Sequence, residues 1–149
     1  RNVAWGDVDF LILDLPPGTG DIQLTIVQTA ELDGVVVVTT PQEVALIDAR
    51  KAIGLFERVE TPILGIIENM SYFQCPSDGK IYHIFGEGGG EREAAKLGVP
   101  LLGKIPLDIS TRFGGDEGRP VALEDPGQNP VSAAFRQVAE QCARVVLDR

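Results

Sequence analysis

Short unbroken apolar runs alternate along this chain with stretches in which apolar residues recur at helical spacing. Residues 10–13, Phe-Leu-Ile-Leu, are the first such run, and Asp14 closes it. A run of this kind bounded by turn residues reads as a strand buried on both faces, with Asp14 at or near its carboxyl end. Pro16 and Pro17 then fix φ and donate no N–H, while Gly18 and Gly20 permit positive φ and close backbone approach. That chemistry suits a loop that senses a phosphate, and Asp21 reads as the cap of the next helix. Over residues 21–31, Leu24, Val27 and Ala30 recur at helical spacing and predict a helix with one face on the sheet. Residues 34–40 predict a second buried strand, because consecutive valines are poor helix material and good sheet interior. Pro41 ends it.

The spacing over residues 43–59 predicts another helix. At about 100° per residue, Val44, Ala45, Ala49, Ala52, Leu55, Phe56 and Val59 fill one broad arc, and Glu43, Arg50, Lys51, Glu57 and Arg58 fill the other. Asp48 falls inside the apolar arc. A carboxylate there needs a cation or several donors, or it takes up a proton; bonding to backbone near the helix start is the plainer alternative. Residues 62–68 predict a third strand, and Asn69 follows it. An asparagine in that place commonly serves a turn. Its carboxamide also presents a donor and an acceptor side by side, the complement of the adenine N6/N7 edge.

Residues 70–80 have turn chemistry and no clean period, with Cys75-Pro76-Ser77-Asp78-Gly79-Lys80 as a tight loop and residues 81–85 as a short strand leaving it. Together they predict a protruding hairpin. The glycines of residues 86–90 match a dinucleotide fingerprint only in part, since Glu91 stands where its third glycine belongs, and they read as a flexible lead into a helix over 91–97. His83 has no second His or Cys at ligand spacing and reads as a surface or hydrogen-bonded imidazole. Residues 99–105 predict a fourth strand, followed by Pro106, Leu107 and the N-cap candidate Asp108. Gly114 and Gly115 weaken the helical character of 110–113, residues 119–123 look extended, and 124–128 read as a loop. Asn129 then caps a strong terminal helix with Pro130 at its first position. Cys142 lies on the apolar stripe of that helix with Val138 and Val145, which makes it an inert core thiol. Strands alternating with helices through short Gly/Pro loops predict an α/β fold, a mainly parallel sheet with helices on both faces.

Composition narrows the function. The 149 residues amount to one domain, and a formal net charge of −9 argues against a nucleic-acid surface and against anionic membranes. No apolar run approaches the roughly 18 residues of a membrane span. Two cysteines, Cys75 and Cys142, do not make a disulfide framework, and a reducing cytoplasm is their natural setting. The chain contains no G-x-x-x-x-G-K-[ST] phosphate loop.

Residues 13–21, Leu-Asp-Leu-Pro-Pro-Gly-Thr-Gly-Asp, resemble the Walker B and switch II segment of the Mrp/ApbC branch of deviant-Walker-A P-loop ATPases, the iron-sulfur cluster carriers. Residues 39–51, beginning Thr-Thr-Pro-Gln-Glu, residues 68–73, Glu-Asn-Met-Ser-Tyr-Phe, and residues 103–108, Gly-Lys-Ile-Pro-Leu-Asp, extend the resemblance over nearly the whole chain. Members of that family carry a two-lysine phosphate loop upstream of the Asp14 strand. The resemblance therefore implies that residues 1–149 are the C-terminal part of a single P-loop NTPase domain, inactive when alone. It implies ATP and Mg²⁺ as ligands of the whole enzyme, with Asp14 orienting Mg²⁺ through water and Gly18 in a loop that responds to the γ-phosphate. Asp48 would meet a phosphate-loop lysine, and Asn69 with Pro106 would seat adenine.

The same resemblance implies an iron-sulfur cluster held between the two subunits of a homodimer at the 70–80 hairpin and passed to apo iron-sulfur proteins. Family members have Cys-Pro-x-Cys there, whereas this chain has Cys75-Pro76-Ser77-Asp78. Cys75 is then the metal-facing thiol, and Asp78 or an outside thiol completes the ligand set; carboxylate is the harder and weaker partner for such a centre. A different class fits the same ATP apparatus: a dimerising nucleotide switch or scaffold of the MinD/ParA kind, without a cluster.

Overall fold

The computed structural model describes residues 3–16, 18 and 20–148. Pro17 and Thr19, expected in the phosphate-sensing loop, lie outside the described residues. Helix α1 (Asp21–Thr29) is followed by strand β1 (Val35–Thr39), helix α2 (Glu43–Arg58) and strand β2 (Ile63–Glu68). A small hairpin comes next, β3 (Phe73–Gln74) and β4 (Ile81–Tyr82), then helix α3 (Gly89–Leu97), strand β5 (Leu101–Lys104), helix α4 (Ile109–Asp116), a 3₁₀ turn (Val121–Leu123) and helix α5 (Pro130–Leu147).

Strands β1, β2 and β5 form a parallel sheet in that order, with Thr39 beside Glu68 and Glu68 beside Lys104 at its carboxyl edge. Parallel neighbours need crossover connections, and α2 supplies the first. Helices pack on both faces of the sheet, although Val38 of β1 stays exposed. On one, Val37 and Ile66 pack with Ala49 and Ile53 of α2 and Ala94 of α3. On the other, α5 lies so close that a Cβ on Gly103 would sit 2.5 Å from Val138 Cγ2. The Arg50 guanidinium ties α2 to α3 by bonding both oxygens of the buried Glu93 carboxylate, at 2.9 and 2.6 Å. Helix starts follow their side chains. Asp108 accepts from Thr111 N, and Asn129 accepts from Val131 N and Ser132 N with Pro130 next in line.

Several sequence expectations are corrected. Residues 10–13 form no strand; they run as an exposed strap, with Ile12 88% exposed. A parallel strand persists only with hydrogen-bonding neighbours beside it and helices above and below, and the described residues give this run neither. Asp21 is the first helical residue rather than the cap, which is Gly20. On α2 the buried stripe is Leu46, Ala49, Ile53 and Phe56, about a quarter turn from the predicted arc. Leu46 and Ile53 settle on the sheet, and Val44 is left exposed. Helix α4 continues through Gly114 and Gly115, and Gly114 leaves room for Arg119 O, where the chain folds back and a Cβ would collide. Residues 121–123, expected extended, form the 3₁₀ turn.

Candidate functional site

The carboxyl edge of the sheet gathers three chain ends, and β2 is the central one. Asn69 N donates to Thr39 O at 2.7 Å on one side. On the other, Ile105 N donates to Glu68 O at 2.9 Å and Ser71 N to Ile105 O at 3.0 Å, so Ile105 brackets the pair Asn69-Met70. The expected adenine residues Asn69 and Pro106 are thereby held on neighbouring segments at the edge where ligands bind in parallel sheets. Asn69 Oδ1 accepts from Met70 N at 2.9 Å, which fixes the carboxamide and leaves its NH₂ and one oxygen lone pair for a ligand.

From Ser71 the chain continues as a hydrogen-bonded ribbon beside residues 105–107. Leu107 N donates to Tyr72 O at 2.7 Å, and Phe73 bridges Leu107. The ribbon enters the β3–β4 hairpin, which Cys75 N closes by donating to Lys80 O at 2.8 Å. The predicted hairpin is therefore present, and it brings Cys75 and Asp78 together. Cys75 Sγ lies 3.1 Å from Ser77 Oγ. That hydroxyl, with the backbone N–H groups of Ser77 and Asp78, holds the Cys75 thiol below its ordinary range, while Asp78 opposes them. Asp78 is itself held low, first by the backbone N–H of Lys80 and then by Cys75. A thiol so placed gives up its proton more easily than an unassisted one. Burial pushes the Cys142 thiol up instead. His83 faces Glu87 at 3.6 Å, in keeping with a surface imidazole.

The other expected site residues are exposed. Asp14 lies on the exposed strap, and Gly18 adopts φ +98, the positive angle a glycine was expected to supply there. Asp48 is not on the buried side of α2; its side chain is 79% exposed and pairs with Lys51 at 3.0 Å. The quarter-turn rotation of the helix carries it outward.

Sequence reasoning passed over Glu68. Its side chain is fully buried, with Oε1 accepting from Ser71 Oγ at 2.5 Å and Oε2 from Gly90 N at 2.6 Å. Helix α3 begins after Gly88, which has no side chain to cap the first turn, and the Glu68 carboxylate does that work from the sheet. The glycines allow the approach. A Cβ on Gly89 would meet Pro41 O at 2.6 Å, and one on Gly90 would meet Glu68 Cβ at 3.1 Å. A carboxylate closing an apolar strand, with a glycine triplet further along, was the available signal.

Among the described residues no helix is long and apolar enough to cross a membrane. A family model described as "ParA: NUBPL iron-transfer P-loop NTPase" matches residues 1–143. The iron-sulfur cluster carrier protein of Pyrococcus furiosus is 51% identical over 140 residues, which are 94% of this chain and 47% of that protein. Among solved structures, a nucleotide-binding protein from Archaeoglobus fulgidus in complex with ADP superposes with a TM-score of 0.69 at 44% identity, covering 77% of this chain and 47% of that one. The cell division ATPase MinD of P. furiosus gives 0.69 at 26% identity, covering 92% and 52%. The chain thus spans about half the length of the proteins it matches. A parallel sheet with helices on both faces, the Asp14-to-Asp21 motif and the family match agree: this chain belongs to the ParA family of P-loop NTPases, in its NUBPL iron-transfer branch.

Proposed function

We propose that this chain is the C-terminal part of an ATP-dependent iron-sulfur cluster carrier that works as a homodimer in the cytoplasm. The observation that carries the reading is the direct hydrogen-bonded ribbon from Asn69, at the base-facing edge, to Cys75, in the exposed hairpin. One end has the chemistry to hold a nucleotide base and the other the chemistry to hold iron. Asn69 and Pro106 fit adenine. Asp14 is the carboxylate that would hold the water shell of Mg²⁺, and the loop of residues 16–20 would answer the γ-phosphate. Asp48, exposed on α2, is free to leave Lys51 for a phosphate-loop lysine. Positioning does most of the work in phosphoryl transfer, so no strong base is needed.

The cluster is cargo. Iron-sulfur clusters commonly take four thiolates, and one chain brings Cys75 and Asp78, so two copies facing each other supply two sulfurs and two carboxylates. Weak carboxylate ligation suits a centre that must be given up to an apo iron-sulfur protein. Asp78 in place of a second cysteine also favours the alternative, a dimerising switch or scaffold of the MinD kind without a cluster.

The isolated chain is expected to hydrolyse no ATP and to bind it weakly, because base contacts alone leave the triphosphate without donors. Calorimetry showing micromolar affinity together with turnover would overturn that. In the full-length protein, Asp14→Asn keeps shape and removes charge; hydrolysis is expected to fall far more than melting temperature, and equal losses would make Asp14 structural. The function itself is tested by loading the full-length dimer with iron and sulfide under anaerobic conditions and mixing it with an apo enzyme that needs a cluster. Activation of the acceptor that quickens with ATP is the expected result. ATP hydrolysis with no transfer would instead select the switch or scaffold.

A further inference from the structure

We infer that Glu68 is the positioning residue that makes the base-facing edge and the Cys75 loop move as one unit, so that occupancy of the base site alters Cys75. The inference rests on the nucleotide reading above and deepens it.

An apolar side chain of similar size would fill the space of Glu68 without desolvating a charge. What the carboxylate adds is two directional acceptors, each taken by a different segment: Ser71 Oγ on the ribbon and Gly90 N at the start of α3. Between Glu68 and Ser71 the chain makes the turn that presents Asn69, and Met70 there holds φ +52. A non-glycine residue in that region persists only where its surroundings fix it. The Glu68–Ser71 bond spans this turn and closes it. Beyond Ser71 the bonds of Leu107 N to Tyr72 O and Cys75 N to Lys80 O carry the ribbon to the thiol. A ligand that pulls on Asn69 therefore displaces a short, pinned segment whose far end is Cys75, and Glu68 is the pin. Lys104, beside Glu68 on β5, bonds Glu91 of α3 at 3.0 Å and leaves the Glu68 oxygens to their two donors.

The test uses the full-length ATPase in a Cys142→Ser background, with ADP or ATP and Mg²⁺ at saturation. The measured quantity is the rate of Cys75 alkylation by a maleimide, read by peptide mass, with nucleotide binding followed separately by calorimetry. In the wild type, nucleotide is expected to change that rate by about fivefold or more, the lower range of allosteric coupling. Glu68→Leu should bind nucleotide and lose the change. Glu68→Gln should restore it, since the amide oxygen accepts from Gly90 N and its NH₂ donates to the Ser71 hydroxyl. Should Glu68→Leu fail to fold, Ser71→Ala removes one bond only and should lower the response. A folded Glu68→Leu or Ser71→Ala with the full wild-type response overturns the inference, as does a wild type that binds nucleotide while Cys75 stays indifferent. A wild type that binds no nucleotide overturns the nucleotide reading with it. A responsive Cys75 in a protein that holds no iron removes the carrier reading and leaves Glu68 in its role.

Discussion

Glu93 shows how one buried carboxylate can be stabilised by its partners. Hydrogen bonds from Arg50 and then Lys96 bring its pKa down from 4.5 to about 2, and the bonds Arg50 makes to Glu93 and then Glu43 raise its own. A folded value below the unfolded one means that the pair stabilises the fold fully above about pH 4.5 and ceases to do so as pH falls towards 2. Glu93→Gln is therefore expected to cost about 1 kcal/mol at pH 7, a low figure because Arg50 is half exposed. The gap between variant and wild type should narrow as the pH is lowered to 3. Urea midpoints at the two pH values check this, and a gap that widens in acid would reverse the assignment. The two cysteines offer a second contrast. Cys75 should be alkylated at neutral pH about tenfold faster than Cys142, and Ser77→Ala should slow it, because the hydroxyl that stabilises the thiolate is gone. Equal rates would place Cys75 among ordinary loop thiols.

Among the elements, contact of α5 with the sheet depends on a missing side chain. Gly103→Ala would drive a methyl group into Val138 and is expected to cost about 1–3 kcal/mol. Combined with Val138→Ala the loss should be less than additive, since the second change clears the space the first one needs. Thermal melts of the single and double variants measure it, and strict additivity would show that the sheet moves instead. Elements of this kind were legible where one signal dominated. The valines of β1, the apolar run of β2, and the Asn129-Pro130 start of α5 each lie where the pattern puts them. Helix α2 was misread in orientation because apolar residues occur on both of its arcs, and periodicity alone cannot say which arc meets the sheet. Glycines were the other weak point. At 89, 90, 103 and 114 they serve close approach of backbone or side chain, which a sequence presents in the same letters as a flexible loop. Of the candidate site, motif order singled out Asn69, Pro106, Cys75 and Asp78 for a proposed role, whereas it passed over Glu68, because its donors lie three and 22 residues away.

At the scale of the whole molecule, large apolar side chains remain in water along the strap at Phe10, Leu11, Ile12 and Leu13, and at Val38 and Val44 around β1. Exposed apolar surface on this scale marks a face that another surface covers. The chain alone is expected to bind a hydrophobic dye strongly, and the full-length protein far less; equal dye binding would mean that the face stays open. We propose, above all, that Cys75 holds iron between two copies of the protein. Anaerobic reconstitution of the full-length dimer with iron and sulfide, read by visible absorption and iron content, tests it most directly. A coloured wild type, an equally coloured Cys142→Ser and a colourless Cys75→Ser are expected. Iron retained in Cys75→Ser but lost in Cys142→Ser, or a wild type that takes up none, would contradict it.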